Sequence, residues 1–94
     1  HTLYKKYQQE TFFIVTNHGE QVYQAISKAT NHGATILDGE GPYEHTERQV
    51  VYSVVSSAES KKVRKVVKEA DPNSFINVVK TERLFGHFYY KPND

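Results

Sequence analysis

"TFFIVTNHGEQVYQAISKATNHGATILD", residues 11–38, reads as one complete strand–helix–strand unit. Residues 11–16 (TFFIVT) are aromatic and β-branched, which favours a strand. Asn17 stands three residues before Glu20, the spacing of a capping box at a helix start. Val22, Ala25, Ile26 and Ala29 then recur at i, i+3, i+4 and i+7, one apolar stripe along a helix. Asn31-His32-Gly33 is a stop signal, with Gly33 suited to a left-handed cap. Residues 34–38 (ATILD) read as the returning strand.

The second half repeats this plan. QVVYSVV (49–55) is a strand, and Ser56 precedes Glu59 at capping-box spacing. Val63, Val66, Val67 and Ala70 form the same stripe, offset by 41 residues from the first. Asp71-Pro72 ends that helix, because proline disfavours helical geometry in the residue before it. SFINVV (74–79) is a fourth strand, and TERLFGHFYY (81–90) is an ambiguous stretch, a short helical turn and then an aromatic strand-like end. Two βαβ units joined by a hairpin give βαββαβ, an α+β ferredoxin-like plan. Its four-stranded antiparallel sheet carries both right-handed crossover helices on one face.

The strands raise a second expectation. A sheet wetted on one face alternates apolar and polar residues. Here Phe12 and Ile14 oppose Phe13 and Val15, and Val50, Tyr52 and Val54 oppose Val51 and Val55. Both faces are apolar, while two helices cover one. The other face needs the C-terminal aromatics (Phe85, Phe88, Tyr89, Tyr90), another copy of the chain, or both.

Composition narrows the class. Ninety-four residues make one domain with a modest core. A net charge of +1 argues against a strongly basic nucleic-acid protein. Without cysteine there is no disulfide, thiolate zinc site or cysteine nucleophile. No apolar run reaches the roughly 18 residues of a membrane span. A start at His1 rather than Met suggests an excised or processed piece.

GATILDGEGPY (33–43), VVS (54–56) and DPNSF (71–75) together resemble the C-terminal cytoplasmic domain of YitT-type bacterial membrane proteins, a domain of unknown function. The Leu-Asp-Gly-Glu-Gly core is the specific part, and the resemblance runs over residues 11–88. Pro42 departs from the pattern where a third glycine is usual, and HTE (45–47) replaces Thr-Gly-Glu. Gly86 and Phe88 are kept in a tail that otherwise matches poorly. The resemblance implies membrane helices ahead of the domain, on the cytoplasmic face of the bacterial inner membrane. Residues 1–10 become a juxtamembrane connector, with Lys5 and Lys6 obeying the positive-inside rule. Residues 11–90 are then the domain and 91–94 a tail. The fold is similar to PII-like signalling proteins, trimers that bind nucleotides or other small anions between subunits and report through the loop after strand two. In this chain that loop is expected at 39–48.

The candidate ligand residues are Asp38, Gly39, Glu40, Gly41 and Tyr43. Gly39 and Gly41 permit positive φ, and consecutive N–H groups make an anion nest. Asp38 and Glu40 repel bare phosphate but suit base N–H groups, a cation bridging to phosphate, or backbone capping. Tyr43 is placed to stack on a base or to pack locally. The cofactor expectation is accordingly a nucleotide, with or without Mg2+. Plain turn chemistry at Asp38-Gly39 and Gly41-Pro42 accounts for the same residues. Lys61, Lys62, Arg64, Lys65 and Lys68 oppose the valine stripe of the second helix. They suit an anion or membrane surface, or form a solvated face diluted by Glu59 and by Glu69, which is four residues from Lys65.

No catalytic set emerges. His1, His18, His32, His45 and His87 lack metal-ligand spacing and read as surface or turn residues. Ser53, Ser56 and Ser57 lack a hydrolase elbow. The expectation is a non-enzymatic homo-oligomer, a trimer first, that senses a small ligand. The alternative is a module that only assembles the membrane part. RNA binding ranks last, because QVVYSVV carries no basic residue beside Tyr52.

Overall fold

The computed structural model describes residues 8–40 and 47–82. In chain order they form β1 (Gln9–Thr16), α1 (Gly19–Ala29), β2 (Thr35–Glu40), β3 (Glu47–Ser56), a 3-10 turn (Ser57–Glu59), α2 (Ser60–Ala70) and β4 (Phe75–Thr81). The sheet order is β2-β3-β1-β4, with every neighbouring pair antiparallel. This is the ferredoxin-like arrangement expected from the two repeated units.

The core forms where the two stripes meet the sheet. Val22 and Ile26 of α1 and Val63 and Val67 of α2 are fully buried against Phe12, Ile14, Val51 and Val55. Ile36, Ile76 and Val78 pack at its margin. Both helices therefore cover the same face, and burying each core side chain contributes roughly 1.5–3 kcal/mol. Ala25, Ala29, Val66 and Ala70 flank the stripes and are half-buried.

Several helix ends differ from expectation. The N-cap of α1 is His18, with no side-chain cap, so Asn17 lies before the cap position and the expected Asn17–Glu20 capping box does not form. Instead the Thr16 hydroxyl accepts from the His18 N–H at 2.9 Å. The helix stops at Thr30, whose N–H and hydroxyl both donate to the Ile26 carbonyl. Gly33 lies three residues beyond and is not its cap. At α2 the Ser56 hydroxyl meets the Glu59 carboxylate at 3.0 Å, side chain to side chain, and a 3-10 turn intervenes before the helix. Asp71 is extended and closes α2 as its proline neighbour requires.

The strands are longer than the apolar pattern showed. β1 begins at Gln9, inside the stretch expected as connector. β2 runs on through Asp38, Gly39 and Glu40, which pair with Gln49, Arg48 and Glu47. The acidic segment is thus ladder, not loop. Ladder hydrogen bonds are indifferent to side-chain polarity, so two carboxylates do not stop a strand whose partner continues. The loop expected at 39–48 loses Gly39, Glu40, Glu47 and Arg48 to the ladder. Gly41, Tyr43 and the C-terminal aromatics lie outside the described residues.

The face away from the helices is apolar in register. Leu37, Val50, Val15 and Phe75 form one cross-strand row; Thr35, Tyr52, Phe13 and Asn77 form the next. Phe75 is 67% exposed and Leu37 54%. The Phe13 and Tyr52 rings meet at 5.5 Å.

Candidate functional site

β1 and β2 end at the same edge of the sheet where β3 and β4 begin, so one end of the molecule gathers both family-like motifs. Asp38 comes there on β2, and Asp71 on the turn between α2 and β4. A pair of hydrogen-bonded links ties each carboxylate to the start of α1.

The first link runs through Gln49. Its amide nitrogen donates to Asp38 Oδ1 at 3.2 Å, and its Oε1 accepts the Gly19 N–H at 2.7 Å. A Cβ on Gly19 would meet that amide and displace the Gln49 side chain from its bond to the helix start. Gly39 is different. It lies outside the left-handed region, and a Cβ there would sit an ordinary 3.7 Å from the Arg48 carbonyl oxygen. Neither positive φ nor close approach requires this glycine. An extended backbone alternates its N–H directions, so an anion nest does not form at Asp38-Gly39.

The second link runs through Thr16. Its hydroxyl donates to Asp71 Oδ2, and the Asn73 N–H donates to Oδ1 at 3.0 Å. Asp71 is 4% exposed. The Thr16 hydroxyl holds its carboxyl below the usual carboxylate range; burial opposes this, and the Asn73 amide, His18 and Lys68 reinforce it. Lys68 donates to the carbonyls of Ser74 at 2.5 Å and Pro72 at 3.4 Å. It is exposed on the face opposite the valine stripe, as expected, with its ammonium turned to brace the α2–β4 turn. Lys61, Lys62, Arg64 and Lys65 are exposed, as expected. Lys61 and Lys62 start the helix whose end is Asp71, roughly 15 Å away along its axis. The structure does not bring them to the acidic end.

Beside the second link lies a largely polar, open cavity of about 70 Å³. Asn17 and His18 bound it on one side, Arg48 on a second, and Asp71 and Asn73 on a third. None of these residues was singled out as a ligand from sequence. Asp71 and Asn73 belong to the DPNSF motif, which was the available signal; Thr16, Arg48 and Gln49 gave none. A further surprise is at the opposite end. His32, expected as a surface or turn residue, lies in the α1–β2 turn but is buried, with Nε2 2.9 Å from Glu59 Oε1. It joins the α1–β2 turn to the start of α2. Among the described residues no three metal-ligating side chains cluster. No helix there is long and apolar enough to cross a membrane.

A family model described as an uncharacterised protein conserved in bacteria, DUF2179, matches residues 32–86. The UPF0750 membrane protein YitT of Bacillus subtilis (strain 168) is 28% identical over 86 residues. That match covers 92% of this chain and 31% of the relative, so the chain spans about a third of the protein's length. A solved DUF2179 protein from Eubacterium ventriosum superposes with a TM-score of 0.62 at 31% identity, over 76% of this chain and 97% of that one. Arabidopsis thaliana PII bound to citrate superposes at 0.64 with 20% identity, over 79% and 74% of the two chains, a likeness of fold. The matched segment contains the acidic strand and all of α2, and on that match the chain belongs to the bacterial DUF2179 family, whose relatives include UPF0750 membrane proteins.

Proposed function

We propose that this domain is the cytoplasmic regulatory part of a multi-spanning membrane protein, and that it senses a small ligand at the end of the sheet where Asp38 lies. The ligand class we favour is a nucleotide or similar anion, with or without Mg2+. The observation that carries the reading is the Asp38–Gln49–Gly19 link. An exposed carboxylate on an edge strand is coupled through one side chain to the first turn of a core helix. A ligand that draws on Asp38 or the adjoining Glu40–Tyr43 segment alters the support of α1. The role we favour is binding, through the carboxylate and amide groups that this end presents.

A second reading, assembly alone, is favoured by the uncovered face with Phe13, Leu37, Tyr52, Phe75 and Val79. Two or three copies packed through that face would organise an attached membrane part without any ligand. A thermal-stability screen against nucleotides, with and without Mg2+, separates the two. A ligand at 100 times its dissociation constant adds about 2.7 kcal/mol of stability. A stabilising ligand whose effect is lost in Asp38→Asn supports sensing; no shift with any nucleotide leaves assembly.

A further inference from the structure

We propose that the cavity bounded by Asn17, His18, Arg48, Asp71 and Asn73 binds a phosphate group in its protonated form. The inference deepens the sensing proposal and rests on it for its biological use, while the binding itself is tested independently.

Size is the first argument. A volume of about 70 Å³, two or three waters' worth of space, suits a phosphate-sized group, and the cleft is open to solvent on one side. A larger ligand places only its phosphate here. The donors are the second. Arg48 contributes a guanidinium with five N–H donors, enough to meet an oxyanion alongside the interaction it already makes. His18, Asn17 and Asn73 come from two other segments and complete a ring of polar side chains. α1 begins beside the cavity with its positive dipole end.

Asp71 sets the selectivity. Its carboxylate lines the cavity and is an acceptor only. Each oxygen takes one hydrogen bond from the protein, Oδ1 from Asn73 and Oδ2 from Thr16, which leaves further lone-pair sites. A ligand here must offer oxyanions to Arg48 and an O–H to Asp71. Hydrogen phosphate offers both. Sulfate at neutral pH has no proton to give and meets the carboxylate as a like charge.

Position links the cavity to the apolar face. Arg48 pairs with Gly39, and the cavity is also lined by Asn17, which follows the end of β1, and by Asn73, which precedes the start of β4 by two residues. The Arg48–Gly39 pair adjoins the row Leu37–Val50–Val15–Phe75. The cavity thus opens at the rim of the uncovered face.

The test is an NMR titration of the 94-residue chain with sodium phosphate, and separately with sodium sulfate, at constant ionic strength and neutral pH. Phosphate should give saturable shifts at the amides of Asn17, His18, Arg48 and Asn73, with sulfate about tenfold weaker or more. Arg48→Gln, at an exposed position, should weaken phosphate about tenfold or more. Asp71→Asn should remove the preference over sulfate. The proposal is overturned by no saturable phosphate shift at these amides, by equal binding of sulfate, or by unchanged phosphate affinity in Arg48→Gln. The last arm stays decisive even if Asp71→Asn does not fold. Adenosine monophosphate and phosphatidic-acid vesicles then separate a soluble phosphate from a lipid headgroup, according to which moves the same amides at the lower phosphate concentration. Phosphate binding without any nucleotide effect in the stability screen leaves this site standing and sinks the nucleotide reading; nucleotide stabilisation lost in Asp38→Asn with no phosphate shift does the reverse.

Discussion

Asp71 shows how much one residue can carry in a small domain. It ends α2, accepts the Thr16 hydroxyl from the end of β1, and orders its own turn through the Asn73 and Ser74 N–H groups. Thr16→Val keeps the shape of the side chain but removes the donor to a buried carboxylate. The expected loss is about 1.5–3 kcal/mol in urea unfolding near neutral pH. The pH dependence follows from the lowered carboxyl. Its contribution is fully present above the ordinary carboxylate value near about 4 and is lost as pH falls through the lower folded value. Thr16→Val should therefore shrink the stability difference between neutral and acidic solution. An unchanged pH slope in the variant would remove Thr16 as the main cause. Gly39 makes the opposite case. Its backbone is ordinary and its Cβ position open, so Gly39→Ala should change stability by less than about 1 kcal/mol in either direction. A larger loss, measured without ligand, would show that the segment adopts another conformation.

At the scale of elements, α2 divides its labour around its circumference. Val63 and Val67 are buried, Lys61, Lys62, Arg64 and Lys65 are exposed, and Lys68 reaches past the helix end to the turn. Changing Lys61, Lys62 and Lys65 to Gln should leave the circular dichroism spectrum and unfolding midpoint nearly unaltered, since exposed charges contribute little to stability. Val67→Ala, by contrast, should cost about 1–3 kcal/mol through lost burial and the cavity left behind. Loss of structure in the triple lysine variant would mean that this face packs against something. α1 was recognised by its stripe, but its start was misplaced. The cap chemistry that replaced the Asn17–Glu20 box comes from Gln49, on a strand thirty residues away. Local spacing cannot report such a cap.

For the whole molecule the open question is what meets the uncovered sheet face. On β1 to β4 that face presents Leu37, Val50, Tyr52, Phe13, Val15, Phe75 and Val79, and Arg48 is its one charged residue among those described. Solvent-facing strands ordinarily carry polar residues at these positions. Light scattering at micromolar concentration should therefore give an oligomer of the 10.8 kDa chain, with three copies favoured. Leu37→Lys combined with Phe75→Lys should dissociate it while retaining the fold, because both side chains are exposed within one copy. A monomeric wild-type chain would remove the subunit contact and turn attention to the C-terminal aromatics.

The sequence by itself determined the architecture. Two apolar stripes at helical spacing between four β-rich runs admit few arrangements, because each amphipathic helix must bury its stripe on the sheet. The Leu-Asp-Gly-Glu-Gly and Asp-Pro-Asn segments also identified the family correctly. Only the tertiary structure decided what those segments do locally. Asp38 to Glu40 became strand because β3 continues opposite them, and ladder partners seven to eleven residues further on lie beyond a four-residue turn rule. His32 became buried because Glu59, distant in sequence, stands ready to accept its hydrogen bond. Asp71, Arg48 and Asn17 share a cavity because antiparallel register stacks three chain segments at one sheet end. Hydrophobic periodicity is a local property and can be read from one stretch at a time. Satisfying a buried polar group depends on whichever donor the fold delivers, and that is settled only once all four strands are in register.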